Sequence, residues 1–205
     1  MRLSIFPLAG ALLFPRAQLP LHIFEPRYRA LVSDAMARDR RIGMIQPRDD
    51  DSLKPVLFDV GCVGRIADVE ALPDGRYNIV LEGLTRFRLV RELDVSTAFR
   101  QIEADCGPYA QDLEESPPLA LILRADVERE ARRFAEARGY AIDWEAVARL
   151  DDESLVNAVA QIAPFDIAAK QAVLEAGDIA TRADLVAQFL RFFRLDRGGD
   201  DATMQ

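Results

Sequence analysis

Histidine, cysteine and tryptophan are scarce in this 205-residue sequence, which contains one His, two Cys and one Trp. A zinc site needs several Cys, His or carboxylate ligands at close spacing. The single imidazole, His22, and the two distant thiols, Cys62 and Cys106, therefore predict no metal site. We interpret both cysteines as small buried apolar residues, with a disulfide or a reactive thiol as the alternatives.

Long apolar runs and an excess of positive charge are also absent. No stretch approaches the roughly 20 apolar residues that a membrane span requires. Pro7 and Pro15 interrupt the apolar N-terminus, so we expect a cytoplasmic protein without a signal peptide. The formal net charge of −8 opposes nucleic-acid binding, although 26 basic residues leave room for a local basic patch.

The first hundred residues predict β structure with one helix. Val-rich and Ile-rich alternation predicts strands over 2–8, 20–24, 41–46, 56–72, 76–83, 85–93 and 98–105. Asp74-Gly75 is a strong hairpin signal, and Gly83 predicts a second turn or kink. Pro26 suits the first position of a helix, with Glu25 favoured at its N-terminus. Short strands with glycine corners favour a small barrel over residues 1–106.

In the second half of the sequence, the spacing of apolar residues changes from the two-residue period of strands to the period of helices. Residues 107–118 contain one glycine and three prolines and predict a linker. Apolar residues at three- and four-residue spacing then predict a helical bundle over 119–197, followed by a polar, flexible tail over 198–205. Within the bundle we expect Glu128 and Arg132 to form an i,i+4 pair and Ile162 to face inward. The fold class expected is therefore α+β.

Several motifs together resemble the N-terminal substrate-binding domain of Lon proteases. They are "LFPRAQLPLHIFEPRYRALV" (13–32), "DRRIGMI" (39–45) and "FDVGCVGRIADVEALPDGRYNIVLEGLTRFRL" (58–89). The resemblance continues into "LVNAVAQIAPFDIAAKQAVLEAGDIATRADLVAQFL" (155–190), with its "KQ..LE" run. It covers nearly the whole chain and implies a PUA-like β pseudo-barrel followed by a helical C-terminal half.

The sequence departs from full Lon proteases in what it lacks. It contains no GxxxxGK[ST] phosphate loop, and neither of its lysines, Lys54 and Lys170, follows one. The resemblance thus implies a stand-alone substrate-binding domain without ATPase or peptidase modules. We expect a non-enzymatic protein with no cofactor, which binds unfolded or flagged polypeptides or a protease or chaperone partner. Its oligomeric state is left open.

Two catalytic interpretations compete with this one. His22 and Glu25 flank a strand-to-helix junction, but a general base or metal site needs further groups of the same kind nearby. A Cys–His pair would need Cys62 or Cys106 beside His22, and no flanking signature supports either. We expect His22 to face outward from its strand or to form a hydrogen bond with a turn, Glu25 to cap the helix, and Arg27 to pair with an acid of the barrel.

RNA binding is the alternative function, because PUA-like barrels include RNA binders. Arg86 and Arg88 alternate with Thr85, Phe87 and Leu89. Such alternation is equally typical of a strand with one solvated face, which needs no partner. The acidic balance makes nucleic acid an unfavourable ligand.

The proline-bracketed loop "LLFPRAQLP" (12–20) is the candidate protein-binding surface. It is more apolar than a loop requires, and its prolines favour an extended backbone. The candidate residues are Leu13, Phe14, Pro15, Leu19 and Pro20. A client site there requires Phe14 and Leu19 to be at least partly exposed. The alternative is that these side chains close the end of the barrel.

Overall fold

A computed structural model describes residues 1–48 and 54–195. The chain divides into two compact units, Met1–Glu115 and Ser116–Gln205. The first unit contains all six strands found in the described residues and one α-helix, and the second contains α-helices. The predicted α+β class, with a helical C-terminal part, is confirmed. The predicted tail at 198–205 lies outside the described residues.

Strands make up most of the first unit, and helices make up the second. The strands are β1 (Arg2–Pro7), β2 (Gln18–Ile23), β3 (Arg41–Pro47), β4 (Leu57–Ala71), β5 (Tyr77–Glu92) and β6 (Gln101–Asp105). Helix α1 spans Pro26–Met36, and a 3-10 helix spans Gly107–Leu113. The helices of the second unit are α2 (Leu121–Arg138), α3 (Trp144–Ala148), α4 (Asp152–Ile162), α5 (Ile167–Glu175) and α6 (Ile179–Leu195).

One long strand closes the sheet. The strand order is β2-β5-β4-β3-β1-β6, and β5 also pairs with β6. The first half of β5 pairs with β2, whereas its second half, from Arg88 to Glu92, pairs with β6. The ring β5–β4–β3–β1–β6 is thereby closed, and β2 remains attached at one edge. Closure gives each strand of the ring two neighbours, whereas β2 pairs with β5 alone among the described residues.

Gly83 lies inside β5 rather than in a turn, so the prediction of two separate strands is wrong. The register with β4 passes from Val63 opposite Thr85 to Gly64 opposite Gly83, which leaves Leu84 as a bulge. A β-carbon at Gly83 would overlap the carbonyl oxygen of Phe14. The glycine is required by this close approach of two backbones.

We predict that Gly83→Ala destabilises the protein by about 1–3 kcal/mol, the usual cost of overpacking. The backbone at Phe14 would have to move, because the added methyl group overlaps its carbonyl oxygen. Urea unfolding of the full chain measures the change. Gly177→Ala is the control, since nothing lies within 4 Å of a β-carbon there. Equal stability of the two variants would contradict the close approach.

The barrel interior holds two apolar clusters. One contains Tyr28, Leu31, Val32 and Ala35 of α1, packed on the barrel as the helical periodicity predicts. The other includes Leu3, Ile5, Ile45, Val63, Phe87 and Ile102. Cys62 belongs to the first cluster, and the two cysteines are free thiols.

The 3-10 helix occupies the first part of the predicted linker because Asp112 is anchored in the barrel unit. Its carboxylate accepts hydrogen bonds from Arg86 Nε at 2.9 Å, Arg86 Nη2 at 2.8 Å and the Arg86 backbone N–H at 2.8 Å. Both side chains are buried, and the guanidinium lies 4.8 Å from the Tyr109 ring centre. The interpretation of Arg86 as part of a solvated strand face is therefore wrong.

Aspartates begin four helices of the second unit. The side chains that accept a hydrogen bond from a backbone N–H of the first turn of α3, α4, α5 and α6 are, in order, those of Asp143, Asp151, Asp166 and Asp178. The buried Lys170 of the "KQ..LE" run donates to the Gln161 carbonyl near the end of α4, at 3.2 Å. Burial lowers the pKa of its ammonium. This part of the motif therefore packs the bundle together.

Two expectations for the bundle are wrong. Glu128 pairs with Arg124 at 2.9 Å, whereas Arg132 lies over the Trp144 ring, 4.4 Å from its centre. Ile162 is 77% exposed instead of facing inward. Periodicity places a residue on a helix face, but it does not specify whether another element covers that face.

Candidate polypeptide-binding site

The structure divides the predicted loop 12–20 into a buried and an exposed part. Leu13 and Phe14 lie in the core, Phe14 with 0% exposure, and Pro15 is also buried. Phe14 thus lacks the exposure that a client site in this loop requires, and for this side chain the alternative of closing the barrel is the one that the structure shows. Two backbone hydrogen bonds hold the loop to the barrel: Arg16 N–H donates to the Gly83 carbonyl at 2.8 Å, and Gly83 N–H to the Ala17 carbonyl at 2.9 Å.

Leu19 and Pro20 lie on β2, which pairs with β5 along one edge and has no strand partner along the other among the described residues. Leu19 is half-buried against the barrel core and Pro20 is exposed. In an antiparallel pair, the residues that form backbone hydrogen bonds with the partner strand alternate with residues whose N–H and C=O point away from it. Because the Ala17 carbonyl accepts from β5, the carbonyl of Pro20 and the N–H and carbonyl of His22 point away from β5. Proline, which lacks an N–H, is tolerated at such an edge.

A groove of about 330 Å³ adjoins the end of this strand. Its walls come from the end of β1, the residues after it, the end of β2 and the start of α1. The Phe6 and Tyr28 rings lie 4.1 Å apart beneath it. Leu8 and Leu21 are half-buried in its walls, and Phe24 is 60% exposed. The groove thus offers apolar contact next to an open strand edge.

Charged side chains form one side of the groove. Glu25 stands at the N-cap position of α1, but its carboxylate accepts from Arg27 Nε at 2.9 Å and makes no capping hydrogen bond. The expected capping by Glu25 and the expected pairing of Arg27 with a barrel acid are therefore wrong. Arg27 also lies 4.5 Å from the centre of the Tyr28 ring.

His22 faces outward, as predicted, within a polar network. Asn78 donates to Glu70 at 2.7 Å, so its oxygen is free to accept from His22 Nδ1, also at 2.7 Å. A guanidinium can only donate, so Nε2 of His22 accepts from Arg76 at 3.2 Å. Arg76 in turn donates to Asp74 and holds the pKa of that carboxyl below its usual value. Both ring nitrogens are therefore engaged in structure.

Phe24 and Leu8 were not among the predicted site residues. Phe24 makes the end of the predicted strand 20–24 apolar on both faces, which is the sequence signal for an outward apolar side chain. In the structure β2 ends one residue earlier, at Ile23. Leu8 carries no comparable signal, because its place in the groove depends on how the loop after β1 folds back toward α1.

The chain matches the family model described as the ATP-dependent protease La (LON) substrate-binding domain over residues 2–191. It therefore belongs to the Lon substrate-binding domain family. Lon protease 2 of Sorangium cellulosum is 31% identical over 199 residues, covering 89% of this chain and 23% of the relative. Lon protease 2 of Myxococcus xanthus is 29% identical over 194 residues, covering 92% of this chain and 23% of the relative. The chain thus spans about a quarter of these relatives.

Solved structures share the fold. The Lon N-terminal domain protein of Xanthomonas campestris superposes with a TM-score of 0.67 at 20% identity, covering 92% of this chain and 98% of that chain. The N-terminal domain of Lon protease from Mycobacterium avium complex gives a TM-score of 0.64 at 16% identity, covering 93% of this chain and 98% of that chain. Within the described residues, no helix combines the length and apolar character needed to cross a membrane.

Proposed function

We propose that the chain is a non-enzymatic module that binds unfolded polypeptides, as the substrates of a Lon-type protease are bound. The observation that supports this most is the groove, apolar on one side and charged on the other, with an exposed Phe24 beside the unpaired edge of β2. Leu19 and Pro20 belong to the proposed surface, whereas Leu13, Phe14 and Pro15 support it from the core. We place this function in the cytoplasm, where a reducing environment maintains free thiols.

The proposed mode of binding is strand addition. An extended peptide along β2 would pair with the outward carbonyl of Pro20 and with the N–H and carbonyl of His22. Such main-chain hydrogen bonds do not depend on peptide sequence. The groove would then receive an apolar side chain beside Phe24, which selects polypeptides with exposed apolar residues. No chemical step on the peptide is part of this proposal.

We expect Phe24→Ser to weaken capture of a reduced and alkylated, permanently unfolded protein by about 1–2 kcal/mol, or roughly 5- to 30-fold. The loss reflects the apolar area that the ring would bury against a client. Fluorescence anisotropy of the labelled client measures the affinity. Val90→Ser is the matched control, because Val90 is 56% exposed on the same barrel but outside the groove.

A second measurement tests strand addition itself. A short apolar peptide that is N-methylated at alternate residues cannot donate hydrogen bonds on one edge, and we expect it to lose most of its binding. Equal affinities of the Phe24→Ser and Val90→Ser variants would contradict the groove as the client site. Two such peptides are needed, one methylated at the odd positions and one at the even positions. Wild-type affinity for both would contradict strand addition but would not contradict the groove as the client site.

A further inference from the structure

The helical unit has an apolar pocket of its own. It lies among α2, α4 and the segment between them, and its volume is about 110 Å³. Every side chain that lines it is aliphatic or aromatic. The segment from Tyr140 to Leu150 forms one wall, and Ile162, 77% exposed, stands at the end of α4. Trp144, the only tryptophan of the chain, is part of the lining.

The volume indicates the size of the occupant. An apolar cavity of about 150 Å³ takes up one benzene molecule, and most cofactor and drug pockets are at least about 300 Å³. A pocket of about 110 Å³ is therefore suited to one leucine-sized side chain. It is too small for a cofactor, and its lining offers few partners for the polar groups of one.

The charges beside the pocket indicate what should flank that side chain. Arg132 stacks on Trp144 and has no carboxylate partner among the described residues, and Arg138 lies 5.4 Å from the Phe134 ring centre. Trp144 and Phe134 both line the pocket. Two positive charges thus lie on the aromatic wall, and acidic groups next to the bound side chain would complement them.

We propose that this pocket is a second polypeptide-anchoring site, which takes one leucine-sized side chain flanked by acidic residues. The proposal extends the proposed function, because it assigns to the helical unit a contact with the same class of ligand. It does not depend on the groove at β2. A single buried anchor surrounded by rim contacts is how many polypeptide interfaces concentrate their binding energy.

Trp144 fluorescence reports on this pocket directly. We expect the blocked peptide Gly-Asp-Leu-Asp-Gly to change the emission saturably, and the same peptide with Ser in place of Leu to leave it unchanged. Ile162→Ser should weaken binding of the leucine peptide about tenfold, as expected for an anchor contact. Leu121→Ser is the control, because Leu121 is 85% exposed on the same unit and does not line the pocket.

A test of charge separates the contribution of the acidic flanking residues from that of the leucine-sized side chain. Arg132→Gln should weaken binding of the acidic peptide about fivefold and leave the neutral peptide Gly-Asn-Leu-Asn-Gly unaffected. Circular dichroism checks that each variant folds. Wild-type affinity of Ile162→Ser for the leucine peptide, or no emission change at saturating peptide, would overturn the proposal. An emission change produced equally by decanoate, or by raising the protein concentration alone, would assign the pocket to a small amphiphile or a second copy.

The two binding proposals fail independently. Phe24 lines the groove of the barrel unit and not this pocket, so Phe24→Ser should leave the Trp144 response to the leucine peptide unchanged. A normal response with no capture of unfolded protein would reject the groove alone. If capture of unfolded protein depends on Phe24 but the leucine peptide does not change the Trp144 emission, the pocket alone is rejected.

Discussion

Asp112→Ala is expected to destabilise the protein by about 3–5 kcal/mol, the usual cost of leaving one member of a buried ion pair uncompensated. The substitution removes the carboxylate that accepts three hydrogen bonds from the Arg86 guanidinium and one from its backbone N–H. The charge of Arg86 would remain inside the barrel unit, where that side chain is 2% exposed. Urea unfolding of the full chain, followed by circular dichroism, measures the loss.

Two further variants test the cause. Glu103→Ala breaks an exposed pair with Arg91 on the same barrel and should cost less than about 1 kcal/mol. The double variant Arg86→Met/Asp112→Leu removes both charges and should recover most of the stability, because apolar replacements of buried pairs are often neutral. A double variant as unstable as Asp112→Ala would show that the lost packing, and not the unpaired charge, causes the effect.

Phe14→Ala is expected to cost about 3–5 kcal/mol, the range for removing a large buried aromatic side chain. Phe14 is fully buried in the barrel unit, so its replacement leaves a cavity instead of a vacant contact surface. Polypeptide capture per folded molecule should stay at the wild-type value. Thermal melting and binding measured on the same sample separate stability from affinity.

Leu19→Ser provides the matched comparison from the same loop. Leu19 is only half-buried on the edge strand β2, so the variant should lose less stability and more affinity than Phe14→Ala. A Phe14→Ala protein that melts like the wild type but fails to bind client would contradict this division. It would indicate instead that Phe14 contacts the client, as the apolar character of its loop predicts.

Elements set by local chemistry could be predicted from the sequence alone. The hairpin at Asp74-Gly75 forms as predicted, with a positive φ of 79° at Gly75 and a Gly75 N–H to Leu72 carbonyl bond of 2.9 Å. Helix α1 begins at Pro26, where a missing N–H costs nothing. The change from two-residue to helical periodicity predicted which half of the chain is β and which is helical.

The predicted site was only partly right, because burial depends on contacts between distant residues. Phe14 and Leu19 look alike in an apolar, proline-bracketed loop, yet one lies in the core and the other on an edge strand. The difference arises at Gly83, where the absence of a side chain lets the loop backbone approach β5. Nothing within the loop itself encodes that approach.

The sequence by itself determined which half of the chain is β and which is helical, the hairpin, the start of α1 and the resemblance to Lon substrate-binding domains, because each rests on neighbouring residues or on motif spacing. Only the tertiary structure decided the burial of Arg86, which requires Asp112 from 26 positions away. It also decided the exposure of Phe24 and Ile162. Periodicity specifies which way a side chain points along its own element, but only packing decides whether another element covers it.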